Sequence, residues 1–364
     1  MKLRKDFEIC ESRTLLGREL NVGVKSSNSY MKVNKRDIDA FLIYYDKVNN
    51  IAIESVYASL TAQERQFTRE LELLGFLDES TELKPAFNEY KKIGHTLLSH
   101  DFVHSKEIRK KDVRYLYWIL ITSFVLALVL LVANVGYLVS TLPSVDIFSF
   151  NVFEMVFVGL IMSQLILFSH EMGHYLVART FGVRVSSFKI VFYLFFPVYL
   201  VEYEGLTLYA LRKRCVIILG GIYIHLVYAA IGTLIARIFA LENQWIYLFI
   251  TANLTMIMTS LNLATISDGY FLVTNIIGIT NLRYKAYKAL NKLFTQRTLP
   301  VGNIDRLCMV VFVCFLLFSS INFYFTAVLW GSTILSIPII YISLGTIALM
   351  TYFVLRLFYK ITKL

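Results

Sequence analysis

Charge is what the last two thirds of this sequence lack. Residues 115–364 carry only eight acidic side chains, and 115–145 carries no charge at all. Cysteine is scarce too: Cys10, Cys215, Cys308 and Cys314 form no CxxC pair, which argues against a disulfide framework and against a thiolate zinc site. Cys308 and Cys314 share one apolar segment and read as small hydrophobes. No dense basic patch interleaves with aromatics, so the net charge of +10 does not point to nucleic acid. The opening MKLRKDFEICESR has no apolar core segment, so no cleavable signal peptide is expected.

What is present instead is hydrophobicity. The chain is 57% hydrophobic with a mean hydropathy of +0.59, which a soluble enzyme of 364 residues would not show. Apolar stretches of about 20 residues, enough to cross a bilayer, fall near 115–138, 152–180, 215–240, 244–267, 307–329 and 333–357. Basic residues cluster before the first span, after the second and fourth, and at the end, while the 139–151 and 330–332 connections have none. Only Arg237 sits toward an outer turn. By the positive-inside rule, both termini and the large loops are cytoplasmic and the protein is a multi-pass cell-membrane protein. The stretch 185–203 is nearly apolar but rich in Val, Tyr and Phe, and counting it as a seventh span would put Arg212, Lys213 and Arg214 outside. It reads as β-strands or a re-entrant hairpin on the cytoplasmic side.

The fold class expected is therefore an all-α polytopic membrane protein with about six transmembrane helices and a short membrane-associated β-hairpin. A small α+β domain precedes it. That soluble module covers 1–105, a basic juxtamembrane linker covers 106–114, and the membrane domain covers 115–364. Helical periodicity over 37–45 and 60–77, followed by GFLDES, suggests a winged-helix-like unit that is either a peptide-binding module or a plain cap. His95, His100 and His104 lack a ligand period and read as surface residues.

The chemistry concentrates in SHEMGHYLVARTFG. His170 and His174 are four apart, so on a helix they share a face about one turn apart and their imidazoles can converge on one ion. Glu171 follows the first of them, where its carboxylate can act as general base on a water molecule. Imidazole and carboxylate inside an apolar helix are costly and are usually functional. A catalytic zinc needs a third protein ligand. Of the eight acids, Asp146, Glu154 and Glu242 lie toward the outside, Glu202 and Glu204 are in the hairpin, and Asp305 borders a basic loop. Asp268 is at the inner end of the fourth span, at the depth of the histidines, and Gly269 after it permits a close approach or bend. His225, in the third span, is a competing ligand, a satisfied polar residue or a substrate contact.

These residues resemble the site-2 protease family of intramembrane zinc metalloproteases. In that family an HExxH on one membrane helix is paired with an Asp-Gly on a later one, matching His170, Glu171, His174 and Asp268-Gly269, with a trailing Arg179 and Gly182. The stretch from Asn262 to Ala286 is similar to the peptide zinc metalloprotease branch, through Asn262, Asp268-Gly269-Tyr270 and Asn281-Leu282-Arg283. The resemblance covers about 150–290. It extends weakly to the first 105 residues, which look like PqqD-type peptide-recognition domains. It implies Zn2+ as cofactor, His170, His174 and Asp268 as ligands, Glu171 as catalytic base, and Asn262, Gly269 and Tyr270 as supporting residues. Two departures stand out: Leu263 replaces the branch's proline, and Gly220-Gly221-Ile222-Tyr223-Ile224-His225 replaces its Gly-Pro and downstream Asn.

The expected activity is hydrolysis of a membrane-associated or short hydrophobic peptide, in peptide maturation by analogy, with the 185–205 hairpin holding the substrate as an added strand. Expected partners are the peptide, the lipid bilayer, and peptide-modification or export proteins. Oligomeric state is not legible. A membrane transporter or immunity protein that keeps a zinc site without hydrolysis, and a peptide-binding scaffold built on 1–105, are the other readings.

Overall fold

A computed structural model describes residues 2–25, 29–49, 51–77, 95–101, 110–141, 151–193, 196–239, 243–262, 267–279, 281–296, 302, 304–314, 316 and 320. Two compact units divide the chain: Met1–Val113 with Tyr175–Ile217 and Asn275–Gly278, and Arg114–His174 with Ile218–Thr274 and Ile279–Leu364.

The first unit opens with an antiparallel meander of β1 (Phe7–Thr14), β2 (Gly17–Val24) and β3 (Ser29–Val33). The central strand β2 is buried on both faces. Leu20, Val22 and Val24 point into an apolar core shared with α1 (Ile38–Val48) and α3 (Ala62–Leu73), which supply Ile38, Phe41, Tyr44, Val48, Phe67 and Leu71. Phe41 and Phe67 meet edge-on at 5.2 Å, the favoured geometry for aromatic quadrupoles. Helix α3 starts with a reciprocal capping box: Thr61 Oγ1 accepts from the Glu64 amide, and the Glu64 carboxylate accepts from the Thr61 amide. It ends at Gly75, whose φ of +77° lets Phe76 and Gly75 bond back to Leu71 and Glu72. Between them lies the short α2 (Ile53–Val56).

The alternate residues of β2 are polar. Glu19 and Asn21 are 4% and 2% exposed, and Arg214, 3% exposed, lies against them. The Arg214 guanidinium reaches Glu19 at 3.4 Å and Ser12 at 3.2 Å, the Asn21 amide donates to Glu19 at 2.8 Å, and Lys32 stands 3.5 Å from the same carboxylate. Asn21 also donates to the Thr207 carbonyl, so β2 is tied to the segment leading into α7 (Leu211–Ile218). Burial alone would raise the pKa of Glu19, but Asn21, Arg214 and Lys32 outweigh it and hold it below the usual carboxylate range.

A second sheet has the order β4–β5–β6: β4 (His95–Asp101), β5 (Val185–Tyr193) and β6 (Phe196–Tyr203), all antiparallel. The apolar stretch after the second span is thus a hairpin. The strand from 95–101 that completes the sheet is not legible in the sequence.

In the second unit three helical segments are long and apolar enough to cross a membrane among the described residues: Arg114–Ala133 of α4 (Lys110–Ala133), α6 (Val152–Thr180) and α8 (Gly220–Ile238). Helix α4 exposes Trp118, Ile119, Val125, Leu126 and Val129, whereas α8 is the most enclosed. Asn151 and Glu154 cap each other at the start of α6, and Gly182, at φ +69°, ends it with Val183 bonding back to Ala178. Helices α8 and α9 (Gln244–Ser260) pack through Gly232 on Ile250 and Ala236 near Tyr247. Arg237, in the last turn of α8, donates to Asn134 at 2.7 Å and lies over the ring of Tyr137 in α5 (Val135–Thr141).

The fourth span departs from the sequence reading. Helix α9 stops at Ser260, and Asp268 starts a separate helix, α10 (Asp268–Ile277), followed by α11 (Leu282–Gln296). Gly269 permits a close approach at the start of α10: a Cβ there would sit 2.8 Å from the Leu261 carbonyl oxygen. Leu263 lies outside the described residues, as do His104 and the sixth span. Residues 304–314 of the fifth are helical.

Glu19→Leu leaves Arg214 buried without its counter-charge and is expected to cost about 3–5 kcal/mol, read as faster hydrogen exchange of β2 amides. Pairing it with Arg214→Met restores most of the protection. Because the Glu19 pKa is depressed, its contribution is fully present above the ordinary value of 4.5 and is lost as pH falls through the lowered one.

Candidate metal centre

The spacing of His170 and His174 becomes geometry because α6 is continuous across them. Their rings stand at 85° with centroids 4.9 Å apart, and the two Nε2 atoms are 3.3 Å apart. Asp268, at the first position of α10, brings its Oδ2 to 3.0 Å from His170 Nε2 and 3.3 Å from His174 Nε2. These three atoms are the one metal-ligand group among the described residues. A triangle of 3.0, 3.3 and 3.3 Å has its centre about 1.9 Å from each corner, so all three atoms could hold one ion at the roughly 2.0–2.2 Å usual for zinc bonds to nitrogen and oxygen. Three protein ligands are the number a catalytic zinc site uses.

One further observation fits an ion. Asp268 Oδ2 is buried and has no aligned hydrogen-bond donor, although both ring nitrogens stand close to it. Lone pairs aimed at a common centre, rather than at one another's protons, produce that combination. Two imidazoles and one carboxylate are also a donor set suited to zinc.

Glycine sets how closely the helices approach. A Cβ on Gly173 would lie 2.3 Å from the Gly220 carbonyl oxygen, and one on Gly220 would lie 2.7 Å from that of Gly173. At Gly221 a Cβ would fall 2.3–2.6 Å from three atoms of the His170 imidazole. The ring of His170 therefore lies on α8 backbone, where proline, the residue it replaces in the related pattern, or any other side chain would intrude.

The remaining candidates are placed as follows. Glu171 is half-buried beside the first ligand. Asn262 accepts a hydrogen bond from the Ser267 hydroxyl through its backbone carbonyl, Gly269 packs on Leu261, and Tyr270 is buried with its ring edge-on to Phe271. His225 is fully buried, with Nε2 3.1 Å from His170 Nδ1 and Nδ1 2.8 Å from Asn253 Oδ1. It lies outside the three-atom group. Asn253 is marked in the sequence only weakly. Its signal was a carboxamide in the middle of an apolar helix.

Gly221→Ala is expected to displace the His170 ring and abolish stoichiometric zinc uptake by the purified protein. Gly159→Ala, on the same helix as the histidines and with open space at its Cβ, should leave uptake unchanged.

Residues 157–337, which span both histidines, Glu171 and Asp268, match Peptidase family M50. No curated protein and no solved structure matches the chain. Residues 157–337 therefore belong to Peptidase family M50, the site-2 protease family of intramembrane metalloproteases.

Proposed function

We propose that the protein is a zinc metalloendopeptidase that cleaves membrane-associated or short hydrophobic peptides, with His170, His174 and Asp268 as ligands and Glu171 as general base. The observation that carries this reading is the convergence of three ligand atoms within 3.3 Å of one another, next to a carboxylate on the same helix turn. Zinc, when bound, supplies the Lewis acidity that makes water nucleophilic near neutral pH and polarises a carbonyl.

Glu171 takes the proton of the attacking water and returns it to the leaving amine. His170 and His174 stay neutral to serve as ligands, and the Asp268 carboxylate stays ionised, which lowers the net charge of the centre by one. Helical peptide bonds are closed to attack, so the substrate is held extended. Strand addition to the β4–β5–β6 sheet is the way such a segment is captured. The expected architecture is six spans with both termini cytoplasmic, supported by the three candidate spans and by the basic segments between apolar ones. Residues 1–105 serve as a winged-helix-like peptide-binding module, a role supported by three helices packed on a small sheet. A role in maturing ribosomally made peptides, beside modification or export proteins, rests on resemblance alone.

Glu171→Gln is expected to keep zinc at the parent level and to lower cleavage of a hydrophobic peptide by about 10²–10⁴-fold. The measurement is metal content alongside mass-spectrometric detection of products. Cleavage at the parent rate in this variant would remove the proteolytic reading.

A further inference from the structure

His170 is held at both ring nitrogens, and the second contact has a direction that can be derived. The Asn253 amide nitrogen donates to the Phe249 carbonyl at 2.8 Å, which leaves its side-chain oxygen facing His225 Nδ1 at 2.8 Å. That oxygen only accepts, so His225 carries its proton on Nδ1. A neutral imidazole has one such proton, so His225 Nε2 is an acceptor, and the group 3.1 Å from it, His170 Nδ1, must donate. The His170 proton is then on Nδ1, and the lone pair on Nε2 points to His174 and Asp268. The His170 and His225 rings are within 24° of parallel with centroids 5.2 Å apart, the edge-to-edge arrangement an in-plane N–H···N bond requires.

We infer that His225 and Asn253 are positioning residues for the metal centre: a chain from the Phe249 carbonyl through Asn253 and His225 fixes the tautomer and ring plane of His170. Both side chains are fully buried, so no bulk water stands in for either partner. The chain ends on the backbone of α9, whose carbonyl cannot rotate away, and so the orientation of a ligand on α6 is referred through α8 to a third helix. The position of Gly221 under the same imidazole supplies the complementary constraint from below. Metal-ligating histidines commonly donate their second N–H to such a partner, and losing the partner weakens metal binding.

The inference rests on the proposal that His170 is a zinc ligand, and the test separates the two. The readout is zinc affinity of the purified full-length protein, by competition with a chromogenic chelator, alongside thermal unfolding of the metal-free form. His225→Leu is expected to weaken zinc binding by about 10–100-fold with little change in metal-free unfolding. His225→Gln, whose side-chain oxygen reaches the place of Nε2 and accepts from His170, recovers most of the loss. His225→Asn, which reaches Asn253 but not His170, does not. Should His225→Leu fail to fold, the Gln and Asn variants still decide the matter. Equal zinc affinity in those two, or parent affinity in His225→Leu, overturns the positioning role while the ligand set stands. A parent protein that takes up no zinc overturns the ligand set and the positioning role together.

Discussion

Two imidazole nitrogens and a carboxylate oxygen face one another within 3.3 Å in the second unit, and much of its local structure serves that convergence. In a medium of low dielectric such a cluster of acceptors is unfavourable unless a cation sits among them. The surrounding packing reflects that demand. Gly173 and Gly220 let two helices approach to backbone contact, and Gly221 leaves room for an imidazole. The chain breaks between α9 and α10 so that Asp268 enters as the first residue of a helix rather than from the side of a long one. None of these features is explained by apolar burial, which any Leu or Ala would serve as well.

The first unit solves a different problem with the same economy of charge. Its β2 strand is buried on both faces, one apolar and one polar, and the polar face carries a carboxylate whose partners come from three separate stretches of sequence. A buried pair of this kind is a poor source of net stability but specific in what it accepts, because either charge alone is costly. Arg212, Lys213 and Arg214 look alike in the sequence as one basic run. In the structure Arg214 is buried at 3% exposure, while Lys213 lies by the Tyr209 ring.

The parts legible in the sequence were those with a short period or a scarce residue type. The four-residue spacing of His170 and His174 needs only a helix to become a shared face. Asp268 could be reached by elimination because the membrane half has so few acids. The hairpin after the second span was readable from β-branched and aromatic residues and from the count of basic loops. The missed features all depend on which elements meet. The 95–101 strand finds its partner about ninety residues later, and nothing local marks the pairing. Asn253 and His225 belong to different helices, and each alone is a polar residue in an apolar run. The end of α9 at Ser260 is hidden because the apolar character of the sequence continues past it to Ser267.

The atoms surrounding the metal can be read by X-ray absorption spectroscopy at the zinc edge on the zinc-loaded, full-length protein. Only nitrogen and oxygen neighbours at about 2.0–2.2 Å are expected, with the multiple-scattering signature of two imidazoles. A sulfur shell near 2.3 Å, drawn from any of the four cysteines, or a spectrum lacking imidazole scattering, would contradict that ligand set.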